Sequence, residues 1–128
     1  MSVSAEGFWA KVVGLDDDTV VFLSGELDMA TAPELTGLLG TLVAQGPPEV
    51  VLDFSGLSFI DSSGIAALVD SQHRLNEQKR RLCIQGAQRE AVRVFEIAGL
   101  VEFLHVQTDR VEDRAQLREQ AGSPPVAG

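Results

Sequence analysis

Apolar and polar residues follow two spacings along this chain, one typical of strands and the other typical of helices. Residues 8–13 and 19–23 are short runs rich in β-branched and aromatic side chains, and they predict two strands. Between them, Asp16-Asp17-Asp18 is a turn signal, because Asp side chains bond nearby backbone N–H groups. We therefore expect the chain to begin with an antiparallel hairpin.

The next segment changes to helical spacing. Thr31 and Glu34 fit a capping box, and Pro33 falls in the first turn, where it removes no hydrogen bond. The run Gly46-Pro47-Pro48 ends the helix. The predicted buried stripe consists of apolar residues three or four positions apart: Leu35, Leu38, Leu39, Leu42 and Val43.

The stretch 50–69, VVLDFSGLSFIDSSGIAALV, is the centre of the pattern. Residues 50–54 begin with consecutive apolar positions, as expected of a strand buried on both faces, and a turn is expected at Ser55-Gly56. Asp61 or Ser62 then caps a second helix, because both residue types are preferred at the N-cap. The inner face of that helix is predicted to consist of Ile65, Leu68, Val69 and Leu75.

The rest of the chain continues this alternation. Residues 81–85 predict a fourth strand, and residues 88–98 predict a third helix that ends at Gly99. Residues 101–106 are expected to be extended, and residues 109–121 to form a last helix. The inner face of the third helix is predicted to consist of Ala91, Val94, Phe95 and Ala98.

Strands that alternate with helices indicate parallel pairing. We therefore predict a single α/β domain over residues 8–121. It has a mixed sheet, with an N-terminal antiparallel hairpin followed by parallel βαβ units, and about four helices cover it. Residues 1–7 are expected to be a flexible N-terminus, and residues 122–128 a disordered tail.

Charge and composition narrow the class of protein. The net charge is −9, and residues 1–62 carry ten acidic residues against one basic residue. This distribution argues against direct nucleic-acid binding, which needs clustered Lys and Arg; it suits a basic protein partner or simply keeps the protein in solution. Cys83 is the single cysteine, so no internal disulfide can form. With no signal peptide and no apolar run of about 20 residues, a cytoplasmic protein that does not enter a membrane is expected.

The sequence offers little for catalysis. It contains neither GxxxxGK[ST] nor GxGxxG, so no phosphate-binding loop is predicted. His73 and His105 are 32 positions apart without further ligands nearby, so neither a metal site nor a cofactor is expected. Ser62 lacks the GxSxG context of a hydrolase nucleophile, and His73 lies three helical turns beyond it. We therefore expect a protein that is not an enzyme.

Ser62 remains of interest as a residue that another protein could modify. Ser62 and Ser63 could act only as helix caps. Alternatively, a phosphate on Ser62 would be tolerated, since helix N-termini favour anions, and it would add a charge of about −1.5 to −2. Asp61, and Asp28 if it lies nearby, would extend the anionic surface, so the effect would be on a docking partner.

Three segments resemble the STAS domain family, and specifically the bacterial anti-anti-sigma factors, also called anti-sigma factor antagonists. Residues 23–28 (LSGELD) resemble the family's first motif, and residues 52–64 (LDFSGLSFIDSSG) its central motif. Residues 94–100 (VFEIAGL) are similar to the end of the family's third helix. The resemblance covers nearly the whole chain.

The resemblance implies a partner-switching phosphoprotein of bacterial transcription and stress regulation. The unphosphorylated form would bind an anti-sigma factor, itself an ATP-binding serine kinase, and release a sigma factor. That kinase would phosphorylate Ser62 and so abolish binding, and a PP2C-type phosphatase would reverse the modification. The implied partner-binding residues lie in the first and central motifs: Glu26, Asp28, Thr31, Asp61, Ser62, Ser63 and Gly64.

Several alternatives stay open at this stage. The chain could be a STAS scaffold or interaction module of a stress-signalling complex, without sigma-factor partner switching. Ser63 or Thr31 could be modified as well. A monomer or a weak dimer is expected, and the cognate anti-sigma and sigma factors stay unnamed.

Overall fold

A computed structural model describes residues 1–14 and 19–107 of the chain. Within these residues the order of elements is β1-β2-β3-α1-β4-α2-β5-α3. The strands are β1 (Ser2–Ala5), β2 (Phe8–Val13), β3 (Thr19–Leu27), β4 (Glu49–Ile60) and β5 (Arg81–Gln85). The helices are α1 (Ala32–Gln45), α2 (Ser62–Glu77) and α3 (Arg89–Ala98).

The five strands form one mixed sheet in the order β1-β2-β3-β4-β5. The pairs β1/β2 and β2/β3 are antiparallel, whereas β3/β4 and β4/β5 are parallel. The predicted fold, an N-terminal hairpin followed by parallel βαβ units, is confirmed. Because parallel strands end at the same edge of a sheet, the connections from β3 into α1 and from β4 into α2 emerge side by side.

The core lies on both faces of strand β4. Residues 50–54 of that strand are all buried, as predicted. The larger cluster contains every residue of the predicted α1 stripe. Cys83 belongs to a smaller cluster, with Val20, Phe22 and Val51, and is 4% exposed, so it is a residue of the core.

Helix α2 packs against the core, although many of its residues are polar. Leu68 and Leu75 are buried, and Ile65 and Val69 are partly buried against the same cluster, as predicted. Gln72 is fully buried. Its side-chain amide accepts from the N–H of Leu82 at 2.7 Å and donates to the carbonyl oxygens of Leu82 and Phe103, both at 2.8 Å. These bonds tie α2 to β5 and to the turn beyond α3.

The expectation of a flexible N-terminus over residues 1–7 is wrong. Residues 2–5 form β1, which pairs with β2 from Ser2 opposite Lys11 to Ala5 opposite Phe8. Val3 packs against the large cluster. The four-residue run is too short to show a pattern by itself, and it becomes a strand because the outer edge of β2 offers it backbone partners.

The turn expected at Ser55-Gly56 is also wrong, since β4 continues to Ile60. The long strand is allowed by β3, with which it pairs as far as Leu27 opposite Ile60, through two register shifts. A Cβ at Gly56 would lie 2.9 Å from the carbonyl oxygen of Leu23. Glycine is therefore needed at this position because β3 and β4 approach each other closely, and it does not mark a turn.

The C-terminal predictions hold in part. Phe95 is buried in α3 and Gly99 ends the helix in the left-handed conformation, as predicted, but Ala98 is exposed. Residues 101–105 form hydrogen-bonded turns instead of an extended segment, and only Val106 pairs with β5, opposite Ile84. Three helices are present in the described residues, against about four predicted. The predicted turn at 16–18, the helix at 109–121 and the tail at 122–128 lie outside the described residues.

Candidate functional site

The first and central motifs meet where β3 and β4 end. Leu27 and Ile60 are the last register pair of the two strands. The next residue along, Asp61, donates its backbone N–H to the carbonyl oxygen of Leu27 at 3.1 Å. Residues 26–31 and 61–64, at least 30 positions apart in sequence, therefore lie together at this edge of the sheet.

Asp61 is the N-cap of α2. Its backbone is extended, with φ −115° and ψ −174°, and its carboxylate accepts hydrogen bonds from the N–H groups of Ser63 and Gly64. The two distances are 2.9 and 3.3 Å. Of the two predicted cap residues, Asp61 is thus the one that caps, since Asp in this position satisfies amides that the helix cannot bond internally.

Ser62 is the first residue of α2 and is exposed. Among the described residues, no group bonds its hydroxyl. Ser63 is half-buried, and its backbone N–H is held by the cap. The arrangement therefore presents the Ser62 hydroxyl outward from the start of a fixed helix.

Gly64 is buried against the end of β3. A Cβ at this position would lie 2.7 Å from Cγ of Leu27 and 3.0 Å from Cγ1 of Ile60. Glycine is thus needed for the start of α2 to approach the strand ends, and Gly64 shapes the surface without being part of it.

Thr31 is buried as well, with 4% exposure. Its hydroxyl donates to the carbonyl oxygen of Glu26 at 2.7 Å and accepts from the N–H of Asp28 at 2.9 Å. The carboxylate of Asp28 in turn accepts from the N–H groups of Ala30 and Thr31, at 2.9 and 3.1 Å. These bonds fold the loop between β3 and α1 into one conformation.

The predicted capping box at Thr31 is therefore wrong. Thr31 is the N-cap of α1, but its side chain makes no bond to the helix. The hydroxyl instead bonds the carbonyl oxygen of Glu26, near the end of β3, and the N–H of Asp28, in the loop that follows. Pro33 does fall in the first turn, as predicted.

The surface carries both negative charge and apolar groups. The ion pairs of the described residues join Arg74 to Asp70 and Arg81 to Glu49, so the carboxylates of Glu26, Asp28 and Asp61 enter none of them.

Two large apolar side chains near these acids are exposed, Met29 at 77% and Phe59 at 49%. Neither was predicted as part of the site. The position of Met29 next to the LSGELD motif was a usable signal, whereas the exposure of Phe59 depends on strand pairing that no local pattern shows.

Among the described residues, the histidine on the same helix as Ser62 lies too far away to act as its base. His73 lies 11 residues along α2, or about 16 Å at the rise of a helix. It is exposed, and its ring packs on Phe103 with centroids 4.8 Å apart. His105 is also exposed. Within residues 1–14 and 19–107, no three His, Cys, Asp or Glu side chains are grouped as a metal ion requires.

The model of one protein family, described as the STAS domain, matches residues 10–113. The chain belongs to the STAS domain family. An anti-sigma-B factor antagonist of Staphylococcus epidermidis is 34% identical to it over 91 residues, which cover 71% of this chain and 84% of the relative. The family model spans both motifs that meet at the end of the sheet.

Solved structures agree with the STAS fold. An anti-sigma factor antagonist from Mycobacterium paratuberculosis is 26% identical, with a TM-score of 0.75, and the match covers 89% of this chain and 96% of that one. The Bacillus cell fate determinant SpoIIAA in its phosphorylated form is 24% identical, with a TM-score of 0.66, and covers 86% and 98%; at this identity it speaks for the fold alone. None of the described helices of this STAS domain is both long and apolar enough to cross a membrane.

Proposed function

We propose that this STAS domain is an anti-sigma factor antagonist that is switched by phosphorylation of Ser62. In its unphosphorylated form it binds an anti-sigma factor and so releases a sigma factor. The anti-sigma factor is also the serine kinase that modifies Ser62, and it supplies the ATP. A PP2C-type phosphatase restores the active form.

The observation that carries the proposal is the exposed Ser62 hydroxyl at the capped start of α2, beside the acidic loop after β3. An acceptor serine must be reachable, and Ser62 is exposed whereas Thr31 is buried with its hydroxyl bonded. The names of the relatives support the same reading, because the 34% identical protein is an anti-sigma-B factor antagonist. SpoIIAA, which has the same fold, was solved in a phosphorylated form.

The acidic loop supports a docking role. Glu26 and Asp28 flank Leu27, whose carbonyl oxygen bonds the N–H of Asp61, and a basic or amide-rich surface on the anti-sigma factor would complement these acids. Of the residues implied by the family resemblance, we assign direct contact to Glu26, Asp28 and Ser62, with Asp61 and Ser63 at the rim. Thr31 and Gly64 are buried, and we assign them to shaping the surface.

Phosphorylation changes this surface more than the fold. The phosphate adds about −1.5 to −2 charge directly beside the Asp61 carboxylate. The amides of Ser63 and Gly64 already bond that carboxylate, so they are not available to neutralise the phosphate. The phosphate therefore projects into the docking surface, where its bulk blocks close approach and the loss of its hydration opposes binding.

The proposal is tested with the anti-sigma factor kinases encoded in the source genome, each expressed singly and incubated with the protein and ATP. We expect one of them to bind the unphosphorylated protein, to modify Ser62 as mapped by mass spectrometry, and to release the modified form. A Ser63→Ala variant is the matched control and should be phosphorylated like the unmodified sequence.

Two results would contradict the proposal. Phosphorylation of a Ser62→Ala variant to the same extent would reject the acceptor assignment. Stable binding of an anti-sigma factor that is insensitive to modification would reject the switch, and would favour a scaffold or interaction module of a signalling complex.

A further inference from the structure

A β-bulge in β4 turns Phe59 toward solvent. Gly25 pairs with Leu57 and Glu26 pairs with Phe59, so Ser58 is an extra residue with no counterpart on β3. In a regular strand, Phe59 would face the same side as the buried Leu57. Instead Ser58 and Phe59 are both exposed, and Ile60 is buried. Bulges commonly re-aim a side chain next to a functional site.

A groove lies beside this displaced segment. Strand β5 ends at Gln85, opposite Asp53, so the last part of β4 extends past its neighbour on that side. Helix α3 lies along the extension instead, and its start is fixed by Gln88, whose amide donates to the carbonyl oxygen of Ser55 at 3.2 Å. The groove between them has a volume of about 230 Å³.

The lining of the groove is mainly apolar and carries no basic side chain. Phe59, Ile60, Ala91 and Val94 supply its walls, and Glu90 is the charged residue that lines it. The two arginines of this helix, Arg89 and Arg93, do not line it. Glu26 pairs with Phe59 on the neighbouring strand, so a second acid lies next to Phe59.

We propose that the groove binds an apolar side chain of the anti-sigma factor, carried on a segment with adjacent basic residues, and that Phe59 is the anchor at its rim. Phe59 lies three residues before Ser62, so a protein that reaches the Ser62 hydroxyl also covers it. The acids Glu26 and Glu90 complement basic residues beside the inserted side chain. That the occupant is an anti-sigma factor rests on the proposed function. That the occupant is an apolar side chain with basic neighbours rests on the lining of the groove.

The chemistry of the groove is tested without any partner protein. The methyl groups of Ile60, Ala91 and Val94 are followed by NMR while the peptide Ac-Arg-Leu-Phe-Arg-NH₂ is added, with Ac-Glu-Leu-Phe-Glu-NH₂ as its matched control. We expect saturable shifts of these methyl groups in the millimolar range with the basic peptide and at least fivefold weaker binding of the acidic one. Absence of saturable shifts, or equal binding of both peptides, would overturn the proposal.

The occupant is tested with the anti-sigma factor that binds the unmodified sequence. Phe59→Ala and Val94→Glu should weaken binding at least tenfold while Ser62 is still the phosphorylated residue. Ile97→Ala is the control, because Ile97 is 78% exposed on the same helix but does not line the groove. Phe59→Ala removes an exposed side chain, so it keeps the test valid if Val94→Glu fails to fold.

The outcomes separate the two proposals. If no anti-sigma factor binds the unmodified sequence but the basic peptide does, the proposed function fails and the groove remains a binding site for such a segment. If an anti-sigma factor binds and Phe59→Ala weakens it no more than Ile97→Ala, the groove assignment fails and the proposed function stands. A dimer that dissociates on Phe59→Ala substitution would assign the groove to a second copy of this chain, and would overturn the inference.

Discussion

Gly64 packs directly on Leu27, so closely that a Cβ on the glycine would stand 2.7 Å from Cγ of the leucine. The contact joins the start of α2 to the end of β3. Together with the hydrogen bond from Asp61 to Leu27, it holds Ser62 and the segment at the end of β3 in a fixed relative position. The relative position of these two segments is therefore set by packing, and several predictions test it.

Gly64→Ala should destabilise the protein by about 1–3 kcal/mol, because the added methyl group overpacks the contact with Leu27. Thermal or denaturant unfolding measures the loss. The matched control is Gly37→Ala on α1, where a Cβ would meet nothing within 4 Å. That substitution should stabilise by about 0.5–1 kcal/mol through helix propensity. If both substitutions shift stability equally, the packing role of Gly64 is refuted.

Substitutions of Asp61 should separate the contribution of its helix cap to stability from the contribution of its charge to binding. Asp61→Ala removes the bonds to Ser63 and Gly64 and should cost about 1 kcal/mol, which corresponds to a lower Tm by about 3–6 °C for a domain of this size. Asp61→Asn keeps a good cap and should unfold close to the unmodified protein.

Binding of the anti-sigma factor extends this comparison. If the Asp61 charge contributes to docking, Asp61→Asn should weaken binding although its Tm is preserved. An Asn variant as unstable as the Ala variant would show that the cap depends on charge, and so would contradict this division of roles.

Thr31 should behave as a structural residue of the loop. Thr31→Val keeps the shape but removes the hydroxyl, which leaves the N–H of Asp28 and the carbonyl of Glu26 without their partner; we expect a loss of about 1–3 kcal/mol. Thr31→Ser retains the hydroxyl and should lose less than the Val variant. Chemical denaturation provides the comparison, and phosphate found on Thr31 of the folded protein would argue against its buried role.

Ser62→Glu should fold normally and bind poorly. A negative charge at the first position of a helix is neutral to favourable for stability, by about 0.3–1 kcal/mol, so the Tm should stay the same or rise slightly. The larger charged side chain replaces a small neutral one in the docking surface and loses its hydration there, and we expect affinity to fall about a hundredfold, which is about 2.7 kcal/mol. Ser62→Ala should bind without regulation. Calorimetric titration checks both, and an unfolded Ser62→Glu variant would contradict the position of Ser62 on the surface.

The elements that bury apolar residues at a regular spacing were predictable from the sequence. The strand at 81–85 has the predicted bounds, and the α1 stripe is buried at every predicted position. The N-cap at Asp61 was also predictable, because a short polar side chain before a helical pattern bonds N–H groups only two or three residues away. These features depend on residues that are close in sequence.

The features that sequence reasoning missed depend on distant partners. The extension of β4 past Ser55 and the bulge at Ser58 arise from pairing with β3, more than 30 positions earlier. The exposure of Phe59 follows from that bulge, so no periodicity around residue 59 could reveal it. Likewise, Thr31 matched a capping motif, but its hydroxyl found acceptors that only the folded loop provides.

If Ser62 is the phosphate acceptor, the cap on α2 bears on how the kinase recognises it. Ser62 stands at the start of a 16-residue helix that Gln72 anchors to the sheet, so its backbone already has one conformation before such an enzyme arrives. A linear peptide with the same sequence would lose about 1–2 kcal/mol of backbone conformational entropy for each residue that it ordered. The domain should therefore be a far better substrate than such a peptide, and specificity would reside in tertiary shape instead of a consensus sequence.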